Sequence, residues 1–271
     1  MQSEKQQTYT VQSEPDHKGR SYNWKTAIGL QQVDGLTPSK YLIETANANI
    51  EGKISIDEAS SLISKYYDSK PAVTEDEKRT MEADKVSLHI AQILATRAFK
   101  LAPTELLSIH NILFDGVFDC AGRIRDCNIS KSEWALGGKS VVYDDFRTIK
   151  ASLDHDIDKE KAFDYTALDE RRKIEHIAKF SSGLWQIHPF REGNTRTIAV
   201  FTIKYLRTFG YDVTNDAFEK HSLYFRNALV RANYNDYKNN IKATPEYLNK
   251  FFDNLLLSGS HELRNRELRL G

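Results

Sequence analysis

Residues 188–196 read His188-Pro189-Phe190-Arg191-Glu192-Gly193-Asn194-Thr195-Arg196, and they lie between two apolar stretches. Upstream, 167–186 carries Ile174, Ile177, Ala178, Ser181, Leu184 and Trp185 at helical spacing. Downstream, 195–209 is apolar on nearly every side: Ile198, Val200, Phe201, Ile203, Tyr205, Leu206 and Phe209, with Gly210 after it. A helix that is apolar all round is a buried, central one. The pattern predicts a helix ending near Ile187, a polar loop, and a central helix opening near Thr195.

A loop that feeds a helix N-terminus points backbone N–H groups outward, where the helix dipole favours negative charge. Gly193 lets the backbone approach a ligand closely. The segment therefore reads as an anion nest for phosphate. Glu192 beside it suits Mg²⁺, which takes one or two carboxylates plus phosphate oxygens. Arg196 can clamp a phosphate oxygen. His188 can serve as general base toward an incoming hydroxyl, since its ordinary pKa lies close to operating pH. Together these groups make a phosphoryl- or nucleotidyl-transfer kit. For His188 alone, the plain alternative of a surface histidine in a polar interhelical loop would win. For the groups together it does not.

Working outward, 1–20 is polar, with Pro15 and Gly19, and 1–36 reads as a leader. Thr37-Pro38 resembles an N-cap with proline at the first helical position. The helix it opens carries Tyr41, Leu42, Ile43 and Ile50 and stops at Gly52. Ser55-Ile-Asp-Glu58 fits a capping box for a second helix through Tyr66 and Tyr67, ended by Pro71. Further helices are expected over 82–100, 104–114, 144–157, 215–232 and 245–257. Between Gly116 and Tyr143 the glycines 116, 122, 137 and 138 and the run Ser140-Val-Val-Tyr143 suggest a loop and β-hairpin. The fold class expected is all-α: a helical bundle around a central buried helix, with one hairpin insert. The expected divisions are 1–36, a helical segment 37–70, a main domain 71–257, and a charged tail 258–271.

Composition agrees with a globular protein. The chain has 271 residues, 40% hydrophobic and 28% charged, with Lys plus Arg 38 balancing Asp plus Glu 38. No basic surplus points to nucleic acid. No apolar run approaches the ~18 residues of a membrane span. The opening Met-Gln-Ser-Glu-Lys-Gln-Gln has no apolar signal core. Cys120 and Cys127 form no metal or disulfide pattern and read as reduced thiols. A cytoplasmic protein is expected.

The 188–196 segment resembles the signature of Fic-domain proteins, His-x-Phe-x-(Asp/Glu)-Gly-Asn-Gly-Arg-x-x-Arg, and the resemblance spans roughly 85–240. It implies the helical Fic fold with a β-hairpin flap, and a protein adenylyltransferase using ATP and Mg²⁺. By the resemblance, His188 deprotonates a Tyr, Thr or Ser hydroxyl of a protein, the chain itself included. Phe190 anchors the loop, Glu192 holds Mg²⁺, and Gly193, Asn194, Thr195 and Arg196 form the anion hole. Thr195 stands where the family has a second glycine, and Ala199 where it has a final arginine.

The resemblance also implies a flap at Gly137–Tyr143, where Lys139, Ser140 and Val141 lie near ATP and the edge docks the target segment. Tyr224, Phe225 and Asn233 resemble positions shaping the adenine pocket. Asn47-Ala-Asn-Ile-Glu51-Gly52 resembles the family's inhibitory motif, (Ser/Thr)-x-x-x-Glu-(Gly/Asn), so Asn47, Glu51 and Gly52 are expected to face the site as a regulator. Other readings stay open: a relative with another nucleotide or phosphate donor, or a silent binding module. So does a homo-oligomer.

Overall fold

The computed structural model describes residues 14–70, 72–213 and 216–270. The expected stop at Pro71, the expected helix start at 215, and the first part of the leader lie outside those residues. Among the described residues the fold is all-helical, with no strand and one isolated bridge between Asp236 and Ile241.

Helix starts follow side-chain chemistry. In the second predicted helix, α3 (Ile56–Ser69), the Ser55 side chain accepts from Glu58 N and the Glu58 side chain from Ser55 N, the expected capping box. The preceding helix α2 (Lys40–Ile50) is capped by Ser39 rather than Thr37. A second capping box, Thr74 with Glu77, opens α4 (Glu75–Ala95) seven residues before the predicted start at 82. Its first two turns are charged and exposed, so no apolar period marks them. Helices α5 (Pro103–Phe114), α6 (Ile149–Lys161) and α7 (Glu170–Ile187) follow, then α8 (Asn194–Thr208), α9 (Ala217–Ala232) and α10 (Glu246–Leu256).

Helix α8 is the centre. Every residue from Asn194 to Leu206 is buried. Helices α4, α5 and α7 pack around it, α6 covers α7, and α10 packs against α7 and α9.

Three regions depart from the sequence expectation. The polar leader contains α1 (His17–Gly29), capped by Asp16 and laid against α4 and α9. Its buried residues include Asn23, Thr26 and Gly29 as well as Tyr22 and Trp24. A Cβ on Gly29 would lie 2.5 Å from Glu219 Cα, so the two backbones nearly touch. A close crossing over small and polar residues leaves no apolar stripe to read. The tail after 258 is docked, with Leu268 fully buried, Leu270 N donating to Ala135 O at 2.8 Å, and Arg231 donating to Leu268 O at 2.9 Å.

The expected hairpin is instead an irregular loop around the short 3-10 turn Trp134–Leu136. Glu133 N donates to Lys139 O at 3.0 Å, which begins a ladder. At the next rung Lys131 N donates to the Ser140 hydroxyl at 3.0 Å, not to a backbone carbonyl. A side chain takes the place of the second rung and pairing stops there.

Candidate active site

The 188–193 loop is built on α5. Gly193 sits at φ 74°, and a Cβ there would lie 2.2 Å from Phe114 Cζ. Only glycine tolerates both the left-handed conformation and that approach. The His110 ring stacks on Phe190 at 3.7 Å. Gly122 N donates to His110 Nδ1 at 2.8 Å, which leaves Nε2–H to donate to Glu192 O at 3.1 Å. Burial lowers the His110 pKa to about 4, so the ring is neutral and this tautomer holds. The Asn194 side chain closes the loop, accepting from Phe190 N at 3.0 Å and donating to Phe190 O at 2.8 Å.

His188 is buried, at φ 51° on the C-terminal end of α7. Its Nδ1 lies 3.1 Å from Trp185 O, and a carbonyl can only accept, so Nδ1 carries the proton. Nε2 is then a lone pair, and it is buried with no partner. Burial, with Lys131 adding positive charge nearby, pushes the imidazole well below its usual range. Tyr143 stacks on the ring at 4.0 Å and Trp185 meets it edge-on at 5.3 Å. The Trp185 indole donates to the Thr195 hydroxyl at 3.0 Å. Thr195, where the Fic signature has glycine, therefore steadies the wall of the histidine pocket.

The first N–H groups of α8 have no partner within the helix, by helix geometry. No side chain caps its Gly193 end. A nest of donors is thus left at the loop exit, beside Glu192. The Glu192 carboxylate is half exposed and pairs with Lys131 Nζ at 2.8 Å. Among the described residues no three His, Cys, Asp or Glu side chains cluster as a metal cage. The donor set fits a hard cation shared between one carboxylate and phosphate oxygens, as Mg²⁺ prefers.

Arg196 is buried under acids: Nε lies 3.0 Å from Asp34, one terminal nitrogen 2.6 Å from Glu82, and the other 3.1 Å from Gln31. Lys139 pairs with Asp236 at 2.8 Å. Ser140 accepts from Lys131 N, and Val141 is buried beneath the loop.

Tyr224 and Phe225 are core residues, and Phe225 packs among Phe218, Phe251 and Phe252. The rings of Phe251 and Phe252 that Phe225 meets belong to α10. Asn233 spends its amide N–H groups on Ser182 O, Ser182 Oγ and Leu229 O.

Asn47, Glu51 and Gly52, expected to face the site, lie exposed at the far end of α2. Glu51 faces His17 at 3.7 Å. The reason is packing: α2 lays Leu42, Ala46 and Asn49 inward, with Trp24 of α1 donating to Asn49 at 2.9 Å, so Glu51 turns outward.

Sequence reasoning missed three positioning residues. His110 carried a signal, since it falls on the buried α5 face with Leu106, Ile109 and Leu113. Arg125 carried none. It is buried and donates to His188 O at 2.8 Å, Cys127 O at 2.7 Å, Asp144 O and Ile187 O. Arg226 likewise lies on α9, far from the loop in sequence.

Residues 100–206 match the sequence profile of the Fic/DOC family. That match covers 107 of the 271 residues, from just before α5 to within α8. Protein adenylyltransferase VbhT of Bartonella schoenbuchensis is 26% identical over 162 residues, 52% of this chain and 33% of that protein. The match thus spans about a third of that relative's length. Similar solved structures include the N-terminal Fic domain of a cell filamentation protein of Bartonella quintana with bound ADP. It has 20% identity and TM-score 0.49, covering 69% of this chain and 88% of that one. The N-terminal Fic domain of Bep8 from Bartonella sp. 1-1C has 17% identity and TM-score 0.49 over the same shares. Among the described residues no helix is long and apolar enough to cross a membrane.

Proposed function

We propose that the chain transfers AMP from ATP to a hydroxyl of a protein. The observation that carries this reading is the His188 imidazole: neutral, its Nδ1 proton spent on Trp185 O, and its Nε2 lone pair buried without a partner. A base so prepared sits one loop away from the open N-terminus of α8. A Tyr, Thr or Ser hydroxyl entering here gives its proton to His188 Nε2. Its oxygen attacks the α-phosphorus of ATP, the bond to the β-phosphate oxygen breaks, and pyrophosphate leaves. The N–H groups of Gly193, Asn194 and Thr195 take the charge that gathers on the α-phosphate. Glu192 would hold Mg²⁺, whose charge offsets that of the phosphates. Lys131 then moves off Glu192.

The loop 137–143 supplies the target-docking edge in this reading. Val142 is 82% exposed at its crest, while Val142 O accepts from Gln186 at 3.4 Å and Tyr143 reaches His188. In this reading the catalytic residues fall within 71–257, and the segments before and after pack onto that unit. The cytoplasm, where ATP and Mg²⁺ abound, is the compartment this chemistry suits.

The test is incubation with Mg-ATP labelled at the α-phosphate, with cell lysate and with the protein alone. Transfer of label to protein in the wild type and none in His188→Ala is the expected result. Label transfer that survives in His188→Ala would sink the reading.

A further inference from the structure

We infer that Tyr143 is the positioning residue of the catalytic imidazole: its ring, fixed on the docking loop, sets the plane of His188 and keeps water from it. The inference rests on the proposed function. It begins with how little else orients the base. The imidazole has one hydrogen bond, from Nδ1 to Trp185 O at 3.1 Å, and Nε2 has no partner. The charged groups that face it, Lys131, Arg125 and Arg226, are all cations. A single bond to a carbonyl leaves a ring free to turn about that bond.

Ring contacts supply what hydrogen bonds do not. Tyr143 stacks on His188 with centroids 4.0 Å apart and planes 29° apart. Trp185 stands edge-on to both, 5.3 Å from His188 and 5.8 Å from Tyr143. Trp185 is a core residue, its indole fixed on the Thr195 hydroxyl. The imidazole thus lies in a corner of two aromatic walls. One wall belongs to the core. The other comes from a loop with no strand pairing, so the anchors of Tyr143 decide whether the corner is rigid.

Those anchors act at the hydroxyl and on the backbone to either side. The hydroxyl donates to Glu133 at 3.3 Å. Burial and the Glu133 charge push its pKa above the usual range, so it stays a donor. Glu133 is itself buried, and both its oxygens accept from Arg226, at 3.3 and 3.2 Å. Arg226 in turn pairs with Asp34 at 3.0 Å. Before Tyr143, Val141 is buried and Val142 O accepts from Gln186. After it, Asp144 O accepts from Arg125, which also donates to His188 O at 2.8 Å. One rigid guanidinium fork therefore ties the backbone beside Tyr143 to the backbone of His188. The attraction between two rings is small by itself. Here the chain presets it.

Two consequences separate this role from plain packing. Without the ring the imidazole plane loosens, and a misaligned base costs rate rather than nucleotide affinity. Burial is also the first cause of the depressed His188 pKa. Removing the ring admits water, which favours the charged imidazolium and raises that pKa. The pH below which the base is protonated then moves up.

Tyr143→Phe and Tyr143→Leu test this by kcat for AMP transfer from about pH 5 to 8, Mg-ATP affinity by calorimetry, and the His188 titration midpoint by NMR of histidine-labelled protein, assigned with His188→Asn. Tyr143→Phe keeps the ring and is expected to hold kcat within about threefold of wild type. Tyr143→Leu is expected to lose about tenfold or more in kcat, with Mg-ATP affinity within about twofold. Its His188 midpoint and the low-pH limb of kcat both move up, and neither moves in Tyr143→Phe. If Tyr143→Leu does not fold, Tyr143→Met, also ringless, takes its place. A wild type that transfers AMP while the ringless variant keeps kcat or the wild-type midpoint overturns the positioning role and leaves the proposed function standing. So does a loss in Tyr143→Phe equal to that in the ringless variant, or a fall in Mg-ATP affinity as large as the fall in kcat. A wild type that transfers no AMP overturns the proposed function and this inference with it.

Discussion

At position 193 a Cβ would meet the Phe114 ring at 2.2 Å while φ stays at 74°. The strain and the clash act together on the loop that holds Glu192. Gly193→Ala is expected to lower stability by about 2–3 kcal/mol, measured by urea unfolding, and to remove transfer. Thr195 offers a gentler probe. Thr195→Val keeps the volume and loses the hydroxyl that receives the Trp185 indole. The indole N–H is then buried without a partner, at a cost of about 1–3 kcal/mol. The expected result is a fall in kcat with little change in Mg-ATP affinity, restored by Thr195→Ser.

His110 links the same loop to pH. The folded pKa is about 4 against an ordinary 6.5. Between those values the unfolded chain binds a proton that the folded chain does not. Stability is therefore full above pH 6.5, falls as the pH drops through that window, and levels off below it. The contribution is about 3 kcal/mol. His188 is depressed too and acts in the same direction. Unfolding free energies of wild type and His110→Asn, compared from pH 7.5 to 4, should show a shallower fall in the variant.

At the scale of elements, the site is where one helix ends and another begins. Helix α7 delivers His188 at its C-terminus, and α8 offers its N-terminus a loop later. Arg125 joins that junction to the loop before α6, through the carbonyls of Ile187, His188 and Asp144. Its charge also suits the negative end of α7. Arg125→Lys cannot reach all of these acceptors in one plane. Its expected effect is a drop in kcat of about tenfold with Mg-ATP affinity nearly unchanged, read from steady-state kinetics beside calorimetry. An equal loss in both would assign Arg125 to nucleotide binding instead.

Over the whole molecule, the N-terminal segment is part of the body. Trp24 is buried against Asn49, and the turn that follows α1 carries Asp34 to the arginines. Trp24→Ala should cost about 3–5 kcal/mol, visible as a lower urea midpoint. The docking of α1 therefore controls both stability and what stands beside Arg196.

Much of this was readable along the chain. The run from Ile174 to Phe209 marks two helices flanking a polar loop, because apolar periodicity and a dense set of chemical side chains are local properties. The same local density of chemical side chains singles out His188, Glu192 and Gly193 as candidates, and the capping box at Ser55 is equally local. Three-dimensional packing decided the rest. Helix α1 was hidden because it buries small and polar groups against a neighbouring backbone. The hairpin failed because the Ser140 hydroxyl took the hydrogen bond of its second rung. Tyr224 and Phe225 are buried, Phe225 against the rings of α10. Glu51 turned to His17 while Asp34 reached Arg196, since which acid meets a guanidinium depends on how distant helices cross. The chemistry of the loop is local and belongs to the sequence alone. The partners of its charges are long-range and belong to the tertiary structure.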